Sequence, residues 1–588
     1  MKRKGYFIIL AVSLFMFLGK AEALEVASLM KDGKEVKYED IDEAILSAQD
    51  KDIITLLSDV SPTKTFYKSL TFKGDFTITY NVYGWRYKSD LTLDGSHLVI
   101  NSKEGMKKAD NGEAPTWASM VLGGNLTAIN GGSITFSYDS NKGVMNAIYA
   151  DNKSTINVID NAKFKIEGLN TSGKAGQGIQ LDMTAGSGIF VKNNSSFLID
   201  GANRGYVNSP TVYVENSNFT VQNCTANASN GGLFEAKNSK INFLNNAGHG
   251  LSTGILKVSN NSVVNATNNA YYGITSTNEI TVDETSTIIS NENGYGFIGG
   301  GIRLGTSGNL NKSVGNIASG AKVTLKGNKS NALENYGQFK FAENVSLEIT
   351  ENKDKSNGAG IFNAGTLTLP SKAVIQNNHA DNYGGGIYNK GTVNAINSAL
   401  YNNHAGKAGD DIYNVTDALF NFSKTALDWN LDDCDHLIDD WYLDTEEKRY
   451  NVHDEENYFV QKYDKDLETR ENIALKAAHN LLGKVIVKYV DEEGNELLSS
   501  IEMTGSLDDN YETESKEIPN YELVSIPLNS KGVYQKEDIT VIYVYKKVSS
   551  VFEEQIPPTG ENFKLSYPVF ALISLVILAG VFILKKRI

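Results

Sequence analysis

The chain has 588 residues, 41% hydrophobic and 21% charged, with 53 glycines, 9 prolines, 2 cysteines and a formal charge of −15. Its apolar content excludes a wholly disordered chain, its glycine content a collagen, and its two cysteines a disulfide scaffold or a thiol-rich metal protein. An isoelectric point near 5.1 argues against nucleic acid as the main partner. Residues 1–23 read as a secretory signal. Lys2, Arg3 and Lys4 form a basic head, Tyr6–Leu18 an apolar run, and Ala21-Glu22-Ala23 a small-residue cleavage site. That run is shorter than the roughly 20 residues that span a bilayer.

Residues 24–57 are expected to form the N-terminal cap of a strand-rich array. Ile41, Ala44, Ile45 and Ala48 share one helical face, and Ile53–Val60 opens a run of strands. Tyr83, Trp85 and Tyr87 alternate, so a strand places all three on one face. Aromatic faces suit sugar rings, which makes the three candidate glycan-binding residues. Arg86 and Lys88 lie on the opposite face, which makes aromatics inward and charges outward the favoured arrangement.

The span 58–416 is internally repetitive. Gly358-Ala-Gly-Ile-Phe-Asn363 recurs as Gly384-Gly-Gly-Ile-Tyr-Asn389 and again as Gly409-Asp-Asp-Ile-Tyr-Asn414, at intervals of 26 and 25 residues. Gln376-Asn-Asn-His-Ala380 returns as Tyr401-Asn-Asn-His-Ala405. Short period-2 apolar runs alternate with Asn and Gly, which supply the positive φ angles of tight corners. One such unit cannot bury its own apolar face, so stacked units must share a core. A parallel β-helix of roughly 14 windings, about 4.8 Å apart, satisfies this. A series of β-sandwiches would show hairpin turns and no 25-residue echo. The three Gly-x-x-Ile-aromatic-Asn copies resemble the pectate-lyase-like adhesive β-helix of Gram-positive surface proteins.

Residues 417–482 read as an acidic C-terminal cap and junction. Between Asp428 and Leu475 there are 16 acidic and 5 basic residues, and Ala474–Leu481 has helical potential. Asp432, Asp433, Asp435, Asp439 and Asp440 offer the oxygens Ca²⁺ takes. No Asp-x-Asp-x-Asp-Gly loop is present, so a solvated acidic face is expected and no metal site.

In 483–547, Val485–Val490 and Thr540–Tyr545 are strands and Asp491–Asn495 a turn. With Gly505, Tyr511, Tyr521 and Gly532-Val-Tyr534 between them, they resemble the MucBP (mucin-binding protein) module, a small β-grasp-like domain. No ligand residues are implied by that resemblance.

The segment 548–588 carries Ile556-Pro557-Pro558-Thr559-Gly560, then the apolar stretch 565–584 and Lys585-Lys586-Arg587. This order resembles the L-P-x-T-G sorting signal of Gram-positive surface proteins, with Ile556 in place of leucine. The resemblance implies cleavage by a sortase between Thr559 and Gly560, with Ile556 and Pro557 recognised and the threonine passed to peptidoglycan. The membrane would be met only transiently, through 565–584. The mature chain, 24–559, would carry 47 basic and 68 acidic residues, a net of −21.

Gly248-His249-Gly250 and Gly409-Asp410-Asp411 look like fragments of the polygalacturonase signature. Their order is reversed and about six windings separate them, so chance is the better account. His379 and His404 occupy equivalent corners and should stack, but two ligands leave a tetrahedral metal site half empty. Cys224 lies early in the array and Cys434 beyond its end, so no disulfide between them is expected. No catalytic residue, metal or cofactor is expected.

The expected fold is all-β: a right-handed parallel β-helix followed by the MucBP module. The expected function is that of a secreted, peptidoglycan-anchored adhesin binding host or environmental glycans or mucin-like glycoproteins, without nucleic acid. The alternatives are a polysaccharide-cleaving β-helix and a passive spacer.

Overall fold

The computed structural model describes residues 24–548, less 103–106, 109–117, 139–145, 151–152, 170–175, 183–185, 297–298, 372, 396–397, 423–439, 451–462, 464–467, 479–481, 507–508 and 536. The signal segment, the sorting motif, the apolar stretch 565–584, Cys434 and Asp432, Asp433, Asp435 and Asp439 lie outside the described residues. No described helix is long and apolar enough to cross a membrane. Two compact units divide the chain, Met1–Asn480 and Leu481–Ile588.

The first unit is a parallel β-solenoid. A winding has two to four strands: Asn146–Ala150, Thr155–Ile159 and Lys163–Glu167 in one, Ser229–Lys237 and Lys240–Leu244 in another, and Ile387–Asn389, Thr392–Asn394, Ala399–Tyr401 and His404–Ala405 near the end. One face is a 13-stranded parallel sheet, and the others merge into a 29-stranded sheet. Twelve steps of about 4.8 Å make the 13-stranded face about 58 Å long.

Alternation explains the strands. In Asn218–Gln222 the residues Phe219 and Val221 point inward, and in Lys240–Leu244 Ile241 and Phe243 do so. Parallel in-register pairing then stacks like on like. Phe164, Phe197 and Phe219 form a column with centroids 4.7 and 4.6 Å apart and nearly parallel rings, each pair adding about 1 kcal/mol beyond its buried area.

Winding length is not constant. Leu98, Ile134, Phe164 and Phe197 are stacked neighbours although 36, 30 and 33 residues separate them. From Phe197 to Ile288 the steps shorten to 22, 22, 23 and 24 residues, and the final ones are 26 and 25. The 25-residue period thus belongs to the end of the array, and extra residues elsewhere leave the stacked strands undisturbed because they sit between faces.

A two-residue corner governs the later windings. Asn245, Asn268, Glu292, Gly327, Glu351, Asn377 and Asn402 all have positive φ. Each precedes a buried asparagine: Asn246, Asn269, Asn293, Asn328, Asn352, Asn378 and Asn403. The Nδ2 of each buried amide donates to the Oδ1 of the next at 2.8–3.1 Å. Each Nδ2 also donates to a strand carbonyl of the winding before, as from Asn269 to Phe243 O at 3.0 Å. Each Oδ1 accepts the backbone N–H of the preceding ladder residue, as from Asn293 to Asn328 at 2.9 Å. Every buried amide is therefore satisfied by its copies. A second ladder, Asn335, Asn363, Asn389 and Asn414, runs at 2.7–2.8 Å through the Ile-aromatic-Asn repeats.

Both ends of the stack are closed by antiparallel strands. At the start, Ala27–Lys31 pairs antiparallel with Lys34–Tyr38 and with Asp52–Leu56, and the latter begins the parallel series. The helix Ile41–Ser47 buries Ile41, Ala44 and Ile45, and Asp40 caps its first turn by accepting Asp42 N–H at 2.7 Å. Lys68 Nζ donates to the carbonyls of Leu46 and Ala48 at its C-terminal end. At the far end, Ile473–Ala478 runs antiparallel to Ile412–Asn414 and to Asp440–Leu443. Helical potential over Ala474–Leu481 is overridden here, because Ile473–Ala478 covers the last open strand edge. Leu419–Asn421 pairs with Thr392–Asn394, so the last winding reaches past residue 416.

Candidate functional site

The candidate aromatic platform does not form, and the favoured inward arrangement holds for Trp85 and Tyr87. Trp85 and Tyr87 are fully buried, and only Tyr83 is partly exposed. Trp85 packs against Phe66, Tyr80 and Tyr87 with centroids 4.8–5.5 Å apart, and its indole donates to Phe66 O at 3.3 Å. Tyr87 Oη donates to Lys68 O at 2.6 Å, and burial raises its pKa. These rings face inward because Trp85–Tyr87 is stacked parallel to Ala118–Leu122 around the shared core, so neither Trp85 nor Tyr87 can receive a sugar.

The Asp and His fragments serve the fold. Asp411 ends the first asparagine ladder: its Oδ1 accepts Asn403 Nδ2 at 2.9 Å and its Oδ2 accepts Ala477 N–H at 3.0 Å. Asp410 receives Arg449 at 2.6 Å and Lys476 at 3.2 Å, and Arg449 also reaches Asp444 at 2.7 Å. Burial pushes the Asp411 carboxyl up to about 7, although Lys476 pulls the other way. His249 stacks on Tyr272 with centroids 5.8 Å apart, and burial lowers its pKa. His379 and His404 stack at 4.9 Å in equivalent positions. Among the described residues no group of three His, Cys, Asp or Glu could hold a metal ion. Cys224 is a buried free thiol at the position just below Asn246 in the ladder, its pKa pushed up to about 12 by burial.

A groove of about 560 Å³ opens on the later windings instead. Its wall holds Tyr272, Tyr295, Glu334, Tyr336, Asp354 and Phe362, drawn from four windings. The Glu334 carboxylate accepts the Tyr272 hydroxyl and, at 2.6 Å, the Tyr336 hydroxyl. Arg303, paired in register with Glu334, lies between the Tyr272 and Tyr336 rings at 5.5 and 5.3 Å. Its Nε is 3.6 Å from Glu334. Burial raises the Asp354 pKa, while Ser330, which donates to it at 2.7 Å, opposes the rise. The volume, the mixed aromatic and hydrogen-bonding lining and the preset side chains are those of a small-ligand site. The signal in the sequence was faint, since these residues spread over 272–362 and only the stacking register joins them.

The second unit is built around tyrosines. Leu482–Asp491 pairs antiparallel with Glu496–Ser506 and parallel with Ile539–Lys547, which pairs antiparallel with Tyr521–Ser525. Val485, Val487, Tyr489, Val541, Tyr543 and Tyr545 form its core with Tyr511 and Tyr534. The phenols tie the sheet to the crossing loop: Tyr489 donates to Glu514 O at 3.1 Å and Tyr545 to Lys516 O at 2.8 Å. Asp491 closes its turn by accepting from Asn495 Nδ2 at 2.9 Å and from Asn495 N–H at 2.8 Å, and that bonding lowers its pKa. At Gly505 a Cβ would stand 2.3 Å from the Tyr534 ring, which is why glycine sits there.

Residues 484–546 match the MucBP domain family. Internalin I of Listeria monocytogenes serotype 4b (strain F2365) is 28% identical over 127 residues, covering 18% of this chain and 7% of the relative. Internalin J of L. monocytogenes serovar 1/2a (strain ATCC BAA-679 / EGD-e) is 43% identical over 65 residues, covering 11% of this chain and 8% of the relative. The chain thus spans under a tenth of these curated relatives. The MucBP match sits on the tyrosine-cored sheet just described, and the solenoid is a separate unit.

Proposed function

We propose that this chain is an adhesin displayed on the surface of a Gram-positive cell, with its solenoid and MucBP units binding glycans or mucin-like glycoproteins. The observation that carries the reading is the MucBP match over 484–546. Its similarity to internalins of Listeria supports a surface location. The sorting sequence Ile556–Gly560 supports covalent attachment to peptidoglycan by a sortase, with the bond after Thr559 cleaved. Many weak contacts along a stiff repeated body would add through effective concentration.

The test is a glycan and mucin binding screen on residues 24–480 and 481–548 produced separately. Saturable binding by either unit is expected. A blank screen for both would reduce the chain to a spacer, and reproducible release of reducing ends or unsaturated uronate would make it an enzyme.

A further inference from the structure

The groove beside Tyr272 does not end at Tyr295. Next to it lies a second groove of about 650 Å³, and Tyr295 and Lys329 line both. The second groove runs along the positive-φ corners Asn268, Glu292, Gly327, Glu351 and Asn377. These occupy successive windings, so four steps of about 4.8 Å carry it about 19 Å along the solenoid. We propose that the two grooves form one binding track for a neutral, linear oligosaccharide lying along the stack, with Tyr295 as its stacking platform. The proposal rests on the reading of the chain as a glycan binder and adds the site and the class of sugar.

Three observations point to this. Tyr295 is 52% exposed, in contrast to the buried Trp85 and Tyr87. Its backbone is anchored on both sides: the flanking Gly294 and Gly296 N–H groups bond to Asn269 O and Ala270 O at 2.9 and 2.8 Å, and its hydroxyl makes a long contact with Asn246 O at 3.4 Å. Gly294 has φ +88°, and a Cβ there would meet Gly299 O at 2.5 Å, so this corner requires glycine. An amphipathic ring held outward in advance binds at little ordering cost.

The charge in the track is balanced. Four carboxylates and four lysines line the two grooves. Glu351 is paired with Lys326 at 2.8 Å, and Glu334 with its two phenols and Arg303. Such a lining presents donors and acceptors to hydroxyls without a field that would hold a polyanion. Lys329, whose ammonium has no partner among the described residues, stands where the grooves meet and is free to donate to a sugar oxygen.

The full secreted chain would be screened on an array holding neutral β-glucan, chitin and N-acetyllactosamine oligosaccharides beside sialylated, sulfated and uronate ones. The best neutral probe would then be titrated calorimetrically against wild type, Tyr295→Ala, Lys329→Ala and a control, Tyr67→Ala, which removes another exposed tyrosine far from the track. Expected are binding of a neutral probe, a loss of about tenfold or more in Tyr295→Ala, a smaller loss in Lys329→Ala, and none in the control, with thermal midpoints unchanged. Neutral binding that survives both track variants would overturn the track and leave the glycan-binding reading standing. Binding confined to anionic sugars would overturn the assigned class. Silence across the whole array would overturn both.

Discussion

The early and late windings of the solenoid solve the same packing problem in different ways. The first windings take 18–21 residues and close their interior with the aromatic cluster Phe66, Tyr80, Trp85 and Tyr87, and those between Leu98 and Phe197 take 30–36. After Asn245 a winding takes 23–26 residues with one exception of 35, and an unbroken column of buried amides runs to Asp411. Cys224 occupies the position just below the column, its N–H donating to Asn246 at 3.0 Å. A hydrophobic interior fixes what is inside but tolerates a corner of any length. A hydrogen-bonded amide column requires each corner to arrive in register, because a displaced amide would be left buried and unpaired.

The sharpest way to break this contrast is to remove one member from each half. Trp85→Ala empties a fully buried site and should cost about 4 kcal/mol of stability in urea unfolding, while leaving glycan binding by the folded protein unchanged. Lost binding with little lost stability would return Trp85 to the surface. Asn328→Leu keeps the volume but removes the acceptor of the Asn293 N–H and Nδ2 and the donor to Ser290 O. A loss of about 3 kcal/mol is expected from the same measurement. A cost under about 1 kcal/mol would show that the column does not govern register.

A pH-dependent effect is expected where the column ends. The Asp411 carboxyl is held protonated up to about pH 7 by burial, against an ordinary value of 3.8. The folded state therefore keeps this proton longer than the unfolded chain does. The corresponding stability is complete below about pH 4 and is lost as pH rises through about 7. Asp411→Asn cannot titrate, so the decline in thermal midpoint between those values should flatten. An unchanged slope would assign the pH dependence to other groups.

Part of this architecture was legible. The Gly-x-x-Ile-aromatic-Asn copies announced stacking because Ile361, Ile387 and Ile412 are bound to one core column and Asn363, Asn389 and Asn414 to one amide ladder. The helix at Ile41 was equally plain from its one apolar face. The amide column was visible only where its corner reads Asn-Asn, as at Asn377-Asn378 and Asn402-Asn403. Elsewhere the first residue drifts to Glu292, Gly327 or Glu351, since that position needs only a tolerated positive φ. The second stays asparagine because its amide is bonded on three sides.

The groove was hidden for a different reason. Tyr295 belongs to no repeat, and its partners come from windings whose lengths are unequal, so no fixed spacing joins them. Trp85 and Tyr87 carried the opposite problem: alternation showed that they share a face, and only packing decided which way it looks. Ile473–Ala478 shows how an alanine-rich segment takes its conformation from the strand it must cover.

The antiparallel strands at both ends of the solenoid also decide how such a protein can change. Because they, and not the intermediate turns, terminate the stack, a duplication or deletion of one whole repeat between Asn245 and Asn402 preserves both stoppers and every bond type. Each duplication would extend the reach of the molecule by about 4.8 Å without creating a sticky end for another copy. Length is thereby open to selection independently of solubility.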